Sequence, residues 1–184
     1  MRTTLSYALG RTIFALRGWS FEPVPDYWQA KQVLIGFPHS TWADTVMAFA
    51  GFAIIRQRGQ VIVKREAFVW PVSWLLKAVG AIAVDRSSPS GVVEQMVAEF
   101  AARSSFQLAL VPEGTRRSGA RIRTGFWHIA KAAQVPIVCW YLDGKTRRTR
   151  WVGRLVPGDD LAEDLREIKR LYAAAGLDIA GIQD

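Results

Sequence analysis

The chain contains a single cysteine, Cys139, and only two histidines among its 184 residues. One cysteine cannot form an internal disulfide or a thiolate metal cluster, so a reducing compartment is the simpler expectation. The longest stretch without Asp, Glu, Lys or Arg is residues 32–43, which is 12 residues, whereas a membrane-spanning helix needs about 18 or more apolar residues. These shortages exclude a disulfide scaffold and predict that the chain does not cross a bilayer unaided.

Several catalytic signatures are also missing. The sequence has no glycine-rich phosphate loop, no serine-centred nucleophile elbow and no cluster of metal ligands, and it shows no internal repeat or linker. Half of the residues are hydrophobic and only 22% are charged, which supplies a core and confines disorder to the ends. At this length we expect one domain, residues 1–184.

Basic residues outnumber acidic ones by 24 to 16, a net charge of +8. Within residues 115–154, ten basic residues face one acid, Asp143, so that segment alone carries +9. After Pro157 the sign reverses, with seven acids against three bases. The surplus predicts anionic partners such as phosphates, nucleic acid or acidic lipid, with the C-terminal segment solvated and facing elsewhere.

Residues 1–19 are basic and apolar in a helical pattern. Apolar side chains recur at helical spacing, with Phe14 and Trp19 adding aromatic bulk: Leu5, Leu9, Ile13 and Leu16. Arg11 and Arg17 interrupt the segment and no small-residue cleavage site follows, so we expect no secretory signal. The pattern fits a helix lying in a membrane interface as well as it fits a helix packed on its own core.

Short apolar runs alternate with helical patterns along the rest of the chain. The predicted strands are residues 33–37, 60–63, 81–84, 106–111 and 135–142, and the predicted helices are residues 44–56, 67–79, 92–102 and 124–133, with a C-terminal helix in 159–184. This alternation predicts an α/β fold with a largely parallel central sheet flanked by helices. Residues 45–55 and 68–76 are unusually apolar, which indicates either core packing or the walls of an acyl-chain channel.

The first candidate site follows the first predicted strand, where His39 precedes Asp44 by five residues. Within one helix the two side chains would diverge by about 140°, so they meet only if His39 lies in the turn and Asp44 in the first helical turn. Asp44 could then fix the tautomer of His39 and leave its other nitrogen free as a base. A helix start in which Thr41 and Asp44 form a capping box explains the same residues without catalysis.

Two further strand ends carry arginine and hydroxyl groups. Asp85-Arg86-Ser87-Ser88 follows one strand, and Glu113-Gly114-Thr115-Arg116 follows another. Glycine lets a ligand approach the backbone closely, and arginine binds phosphate through paired hydrogen bonds. Both turns therefore predict a phosphate-bearing substrate, although solvated turns with surface arginines would look the same.

The turn from His39 to Asp44 resembles the HxxxxD motif of the glycerolipid acyltransferases, the family of bacterial 1-acylglycerol-3-phosphate acyltransferase. Three later blocks resemble those of the family in the family's order: residues 80–86, 111–116 and 135–138. The four blocks span about residues 33–141. The resemblance implies an O-acyltransferase of glycerol-phosphate acyltransferase-like fold, which moves a fatty acyl group from acyl-CoA or acyl-carrier protein to a lysophospholipid, with 1-acylglycerol 3-phosphate the leading acceptor.

The resemblance also implies roles for particular residues. His39 would be the general base and Asp44 would orient it. Arg86 and the turn formed by Glu113, Gly114, Thr115 and Arg116 would hold the acceptor's phosphate. Lys64 would in addition stabilise the tetrahedral intermediate. No metal or redox cofactor is implied, because a thioester already carries an activated acyl group.

Other functions remain open at this point. The acceptor could be another lipid, the reaction could be transacylation between phospholipids, or the chain could be a non-catalytic lipid-binding protein of the same fold. A nucleic-acid-binding domain fits the charge, but no recognised module is present, so no nucleic-acid partner is expected. We expect a cytoplasmic protein attached peripherally to the anionic inner face of the cell membrane.

Overall fold

A computed structural model describes residues 2–37, 42–85, 87–112, 122–177 and 179. Six strands and six helices alternate in the order α1 (Arg2–Leu16), β1 (Lys31–Gly36), α2 (Trp42–Ile54), β2 (Gly59–Lys64), α3 (Val72–Ala78), β3 (Ala81–Val84), α4 (Pro89–Ala102), β4 (Phe106–Leu110), α5 (Gly125–Ala132), β5 (Ile137–Asp143), β6 (Arg148–Leu155) and α6 (Leu161–Ala174). The five predicted strands are confirmed, with ends displaced by a few residues.

All six strands form one sheet in the order β3-β2-β4-β1-β5-β6. The first five are parallel to one another, and β6 pairs antiparallel with β5. The prediction of a largely parallel sheet flanked by helices is therefore confirmed. The strand β6 was not predicted, because its three arginines hide the alternation that a half-buried strand shows.

Helices cover the sheet on two sides. Alternation along β1 sends Val33 and Ile35 into a large core that contains buried residues of α4, α5 and α6, while Leu34 packs on the opposite side against Phe52 of α2. Helix α1 packs on the outside of α2, where Phe14 contacts Met47 and Ala50. The molecule thus has a central sheet with α4–α6 on one face and α2, backed by α1, on the other.

Helix α1 packs on the protein with one side and exposes apolar residues on the other. Ile13 and Phe14 pack against α2, so for these two residues the core-packing alternative is confirmed. The close approach of the two helices depends on Gly10, where a Cβ would lie 2.6 Å from the carbonyl oxygen of Ala50. Leu5, Leu9 and Leu16 remain exposed on the other side of the helix.

Two predicted helices are shorter than expected. The helix predicted for 67–79 begins only at Val72, because Pro71 has no N–H to donate and fits only at a helix start. The residues before it form a short 3-10 turn, Arg65–Ala67. The C-terminal helix predicted within 159–184 starts after Asp160, whose carboxylate accepts the Ala162 and Glu163 N–H groups at 2.7 and 3.2 Å, and it ends at Ala174.

Candidate active site

Four parallel strands end at the same edge of the sheet. Register pairs Ile35 of β1 with Leu110 of β4, and Lys64 of β2 with Val84 of β3, so the four carboxyl ends lie side by side. In open α/β sheets this edge is where ligands bind. All of the predicted site residues follow one of these strand ends or, like Lys64, stand on it.

The structure describes two of the predicted site residues, Asp44 and Lys64. Six others lie outside the described residues, and their assignments stay predictions: His39, Arg86, Glu113, Gly114, Thr115 and Arg116. Asp44 is half-buried in the first turn of α2, where the positive end of the helix dipole favours a carboxylate. This is the position in which the sequence argument requires it.

Lys64 is exposed at the last position of β2. Strand β4 lies between β2 and β1, so the ends of β1 and β2 are about 10 Å apart at the usual spacing of neighbouring strands. Lys64 therefore stands at the candidate edge, one strand removed from the turn that follows β1.

The turn after β3 uses its polar groups locally. The Ser87 N–H donates to the Asp85 carboxylate at 2.9 Å, and these hydrogen bonds from Ser87 hold the pKa of Asp85 below its ordinary value. The Ser88 hydroxyl accepts the Gly91 N–H at 3.2 Å and caps α4. The Ser88 hydroxyl therefore has a structural role at the start of α4.

The end of β1 is fixed by α6. The Tyr172 hydroxyl lies 2.9 Å from the carbonyl oxygen of Ile35 and 3.1 Å from that of Trp140, and it donates its one proton to either. The Tyr172 ring also packs edge-on against Phe37, with 5.4 Å between ring centroids. Phe37 is the last described residue before His39, so Tyr172 fixes the chain to within two residues of His39. Sequence periodicity identifies Tyr172 only as a core residue.

A pocket lies beside the candidate edge, between α2 and the sheet. It holds about 360 Å³, counting the part open to solvent, and its walls are largely apolar: Phe21, Leu34, Met47, Ala48, Gly51, Phe52, Ile55, Trp140, Thr149, Arg150 and Trp151. Its polar wall groups already have partners, since the Thr149 hydroxyl accepts the Glu22 N–H at 2.8 Å and Arg150 lies 3.7 Å from the Glu22 carboxylate.

Asp44 and several pocket residues lie on the same side of α2. Residues three, four and seven positions apart lie on the same side of a helix, which aligns Asp44 with the pocket residues Met47, Ala48 and Gly51. From Asp44 to Ile55 the helix rises about 16 Å. The pocket therefore begins one turn from the candidate catalytic carboxylate and continues along the helix.

Trp140 forms the wall of the pocket nearest the end of β1. A Cβ on Gly36 would approach its indole to 3.0 Å, so the indole lies against the backbone of the strand only because residue 36 is glycine. The β5 register is irregular between Cys139 and Trp140. This irregularity interrupts the regular pairing of β5 with β6. The sequence gives no sign of it. Trp140 is thus a candidate site residue that sequence analysis does not identify as such.

Cys139 is fully buried in the main core, where desolvation raises the pKa of its thiol to about 12. Cys139 is therefore a core residue. Among the described residues, no helix is long and apolar enough to cross a membrane.

The fold and this edge define an α/β protein with a candidate ligand site at the carboxyl ends of parallel strands and an apolar pocket beside it. Residues 22–143 match the Acyltransferase family. The match covers well over half of the chain, and the protein therefore belongs to the Acyltransferase family.

Two individual proteins are similar to the chain. It is 29% identical over 111 residues to the 1-acyl-sn-glycerol-3-phosphate acyltransferase of Streptococcus pneumoniae, an alignment that covers 60% of this chain and 41% of the relative. The crystal structure of the 1-acyl-sn-glycerophosphate (LPA) acyltransferase PlsC from Thermotoga maritima superposes with a TM-score of 0.63 at 14% identity, covering 97% of this chain and 76% of that one. The second likeness is a likeness of fold.

Proposed function

We propose that the protein transfers a fatty acyl group from acyl-CoA or acyl-carrier protein to the hydroxyl of a lysophospholipid, with 1-acylglycerol 3-phosphate as the leading acceptor. The family match supports acyl transfer as the class of reaction. The observation that carries the proposal is the side of α2 on which Asp44 stands one turn from an apolar pocket, at the edge where the parallel strands end.

His39 and Asp44 carry the proposed chemistry. His39 takes the proton of the acceptor hydroxyl as its oxygen attacks the thioester carbonyl carbon, and Asp44 holds the imidazole in the tautomer that can accept this proton. The tetrahedral intermediate then collapses, the carbon–sulfur bond breaks, and the thiolate leaves with the proton returned from His39. Lys64 offers a cation at the same edge for the oxyanion.

Two turns are assigned to the acceptor's phosphate. Arg86 follows β3, and Glu113, Gly114, Thr115 and Arg116 follow β4, whose carboxyl end lies beside that of β1. Charge-assisted hydrogen bonds from arginine to phosphate contribute about 1.5–3 kcal/mol each. Acylation of a monoacylglycerol, which has the hydroxyl but no phosphate, should consequently be much slower than acylation of lysophosphatidate.

The apolar pocket is assigned to a fatty acyl chain. Its lining is almost entirely hydrocarbon and aromatic, and its polar groups are already paired, so it offers little to a polar ligand. A chain lying along α2 from Asp44 towards Ile55 would place its functional end near the candidate base. Burial of apolar surface, about 25 cal/mol per Å², would drive this binding.

The exposed stripe of α1 is assigned to the membrane surface. Leu5, Leu9 and Leu16 lie on one side of the helix and are exposed, while Arg11 and Arg17 are exposed near them in the chain. Such a helix binds an anionic interface reversibly and without spanning it. We propose that the protein attaches in this way to the cytoplasmic face of the cell membrane, and the exposed leucines and arginines of α1 support the attachment.

Release of free thiol from acyl-CoA, measured with and without lysophosphatidate, tests the proposal. We expect release that depends on the acceptor and a diacylated product of matching mass. The rate should be unchanged by EDTA, since the thioester requires no metal for activation. Thiol release that is equal with and without any lysolipid in a panel would contradict acyl transfer.

A further inference from the structure

The segment that links β2 to β3 exposes an unusual amount of apolar surface. Residues 69–79 hold six of the thirteen large hydrophobic side chains that are exposed in the described part of the chain. Trp70 is 88% exposed and Trp74 is 76% exposed, and Val69, Val72, Leu75 and Val79 accompany them. The sequence interpretation of core packing is therefore wrong for these tryptophans, since neither is buried, and neither lines the pocket beside α2.

The backbone of this segment contacts neighbouring elements, although its large apolar side chains project outwards. Helix α3 packs on the edge strand β3, and the Ser73 N–H donates to the Val69 carbonyl at 2.7 Å. At the other end Gly80 adopts a positive φ of 85°, and a Cβ there would lie 2.5 Å from the Gly59 carbonyl oxygen. A fixed backbone that leaves two tryptophans in water is typical of a binding surface, since large apolar patches on proteins mark interaction sites.

Positive charge surrounds these side chains. Lys64, Arg65 and Lys77 are exposed, whereas Glu66 is the one acid within residues 64–79. Trp74 and Lys77 are three residues apart and share a side of α3. Tryptophan beside lysine and arginine is the composition found at membrane–water interfaces, where the ring lies among headgroups and the cation reaches phosphate.

We propose that residues 65–79 form a second membrane-docking surface, in which Trp70 and Trp74 insert into the interface of an anionic bilayer and Arg65 and Lys77 contact its phosphates. The segment begins where β2 ends, so docking brings the candidate active-site edge to the lipid. Docking itself requires no acyl transfer, whereas its purpose, delivery of a lipid acceptor, rests on the proposed function.

Vesicle binding of the full chain tests this surface separately from catalysis. The double variant Trp70→Ala/Trp74→Ala and the control Val24→Ser/Val156→Ser, which also removes exposed apolar side chains, are compared by co-sedimentation with neutral vesicles and with vesicles containing anionic lipid. No acyl donor is present. Both pairs are also made in a Leu5→Ser/Leu9→Ser/Leu16→Ser chain, so that attachment through α1 does not mask the result.

We expect the tryptophan variant to bind anionic vesicles at least about tenfold more weakly in both backgrounds, and the control to bind like the parent. Lys77→Glu should weaken binding about fivefold on anionic vesicles and little on neutral ones. Brominated lipid should quench the fluorescence of the parent more than that of the tryptophan variant. Unchanged affinity and quenching in the variant would overturn the proposal, as would a parent dimer that the tryptophan substitutions dissociate while vesicle binding stays the same.

Discussion

The two faces of the sheet are closed to different degrees. Beneath α4, α5 and α6 the side chains of β1 and β4 are completely buried, as Val33, Ile35 and Leu108 show with no exposed surface. Beneath α2 the sheet leaves an apolar pocket, and the helix over it is partly exposed on its own outer side. The main core lies on one face of the sheet, while the apolar pocket lies on the other, where Leu34 and Val138 are nevertheless buried.

The largest effect is expected from a cavity in the closed face. Phe106 begins β4, is fully buried and packs edge-on against Phe100, with 4.6 Å between ring centroids. Phe106→Ala should lower the free energy of unfolding by about 3–5 kcal/mol, measured by urea denaturation. It lies at the amino end of its strand, away from the candidate edge, so acyl-chain preference should not change.

If Phe106→Ala does not fold, Phe106→Leu, which removes less volume, allows stability and acyl-chain preference to be measured in the same way. A changed chain-length preference in a folded Phe106 variant would mean that the two faces are not separable.

A substitution in the pocket on the α2 face should change acyl-chain preference, which the Phe106 variants should not. Ala48→Leu adds volume inside the pocket, so kcat/KM for long acyl chains should fall about tenfold while short chains react normally. The free energy of unfolding should fall by no more than about 1–3 kcal/mol, the usual cost of added side-chain volume. Ala132→Leu, on the exposed side of α5, is the matched control. Equal losses for long and short chains would remove the pocket from chain binding.

Tyr172 of α6 contacts the end of β1, next to the candidate site. Substitution by phenylalanine removes only its hydroxyl group. Tyr172→Phe should cost about 0.5–1.5 kcal/mol of stability, because a buried hydrogen bond is lost. It should also lower kcat several-fold with little change in KM, since the base of the His39 turn is less firmly held. Tyr7→Phe keeps the ring beside Arg56 and serves as a control. A purely structural role predicts lower stability with unchanged kcat.

The smallest effect concerns Cys139. Since burial raises the pKa of its thiol to about 12 from an ordinary value of 9.0, iodoacetamide at pH 8 should label it only after unfolding. The thiol's contribution to stability should be complete below about pH 9 and decline as pH rises towards 12. Rapid labelling of the native protein at pH 8 would show that the closed face opens readily.

The sequence predicts the elements that follow local rules. Strands β1 to β5 appear as short apolar runs, and Asp44 lies where the spacing from His39 requires, because both depend on nearby residues. The pocket was not predictable in detail, since its walls come from α2 and from strands distant in the chain. Trp140 is positioned by a bulge and by Gly36, and α1 divides its apolar residues between α2 and solvent. These are tertiary effects that periodicity does not encode.

The central claim is acyl transfer with His39 as the base. Its most direct test is acceptor-dependent thiol release from acyl-CoA by the parent and by His39→Ala, both confirmed as folded by circular dichroism. The account predicts a fall of about 10²- to 10⁴-fold or more, with a large but smaller fall for Asp44→Asn. A folded His39→Ala protein that acylates lysophosphatidate at the parent rate would contradict it.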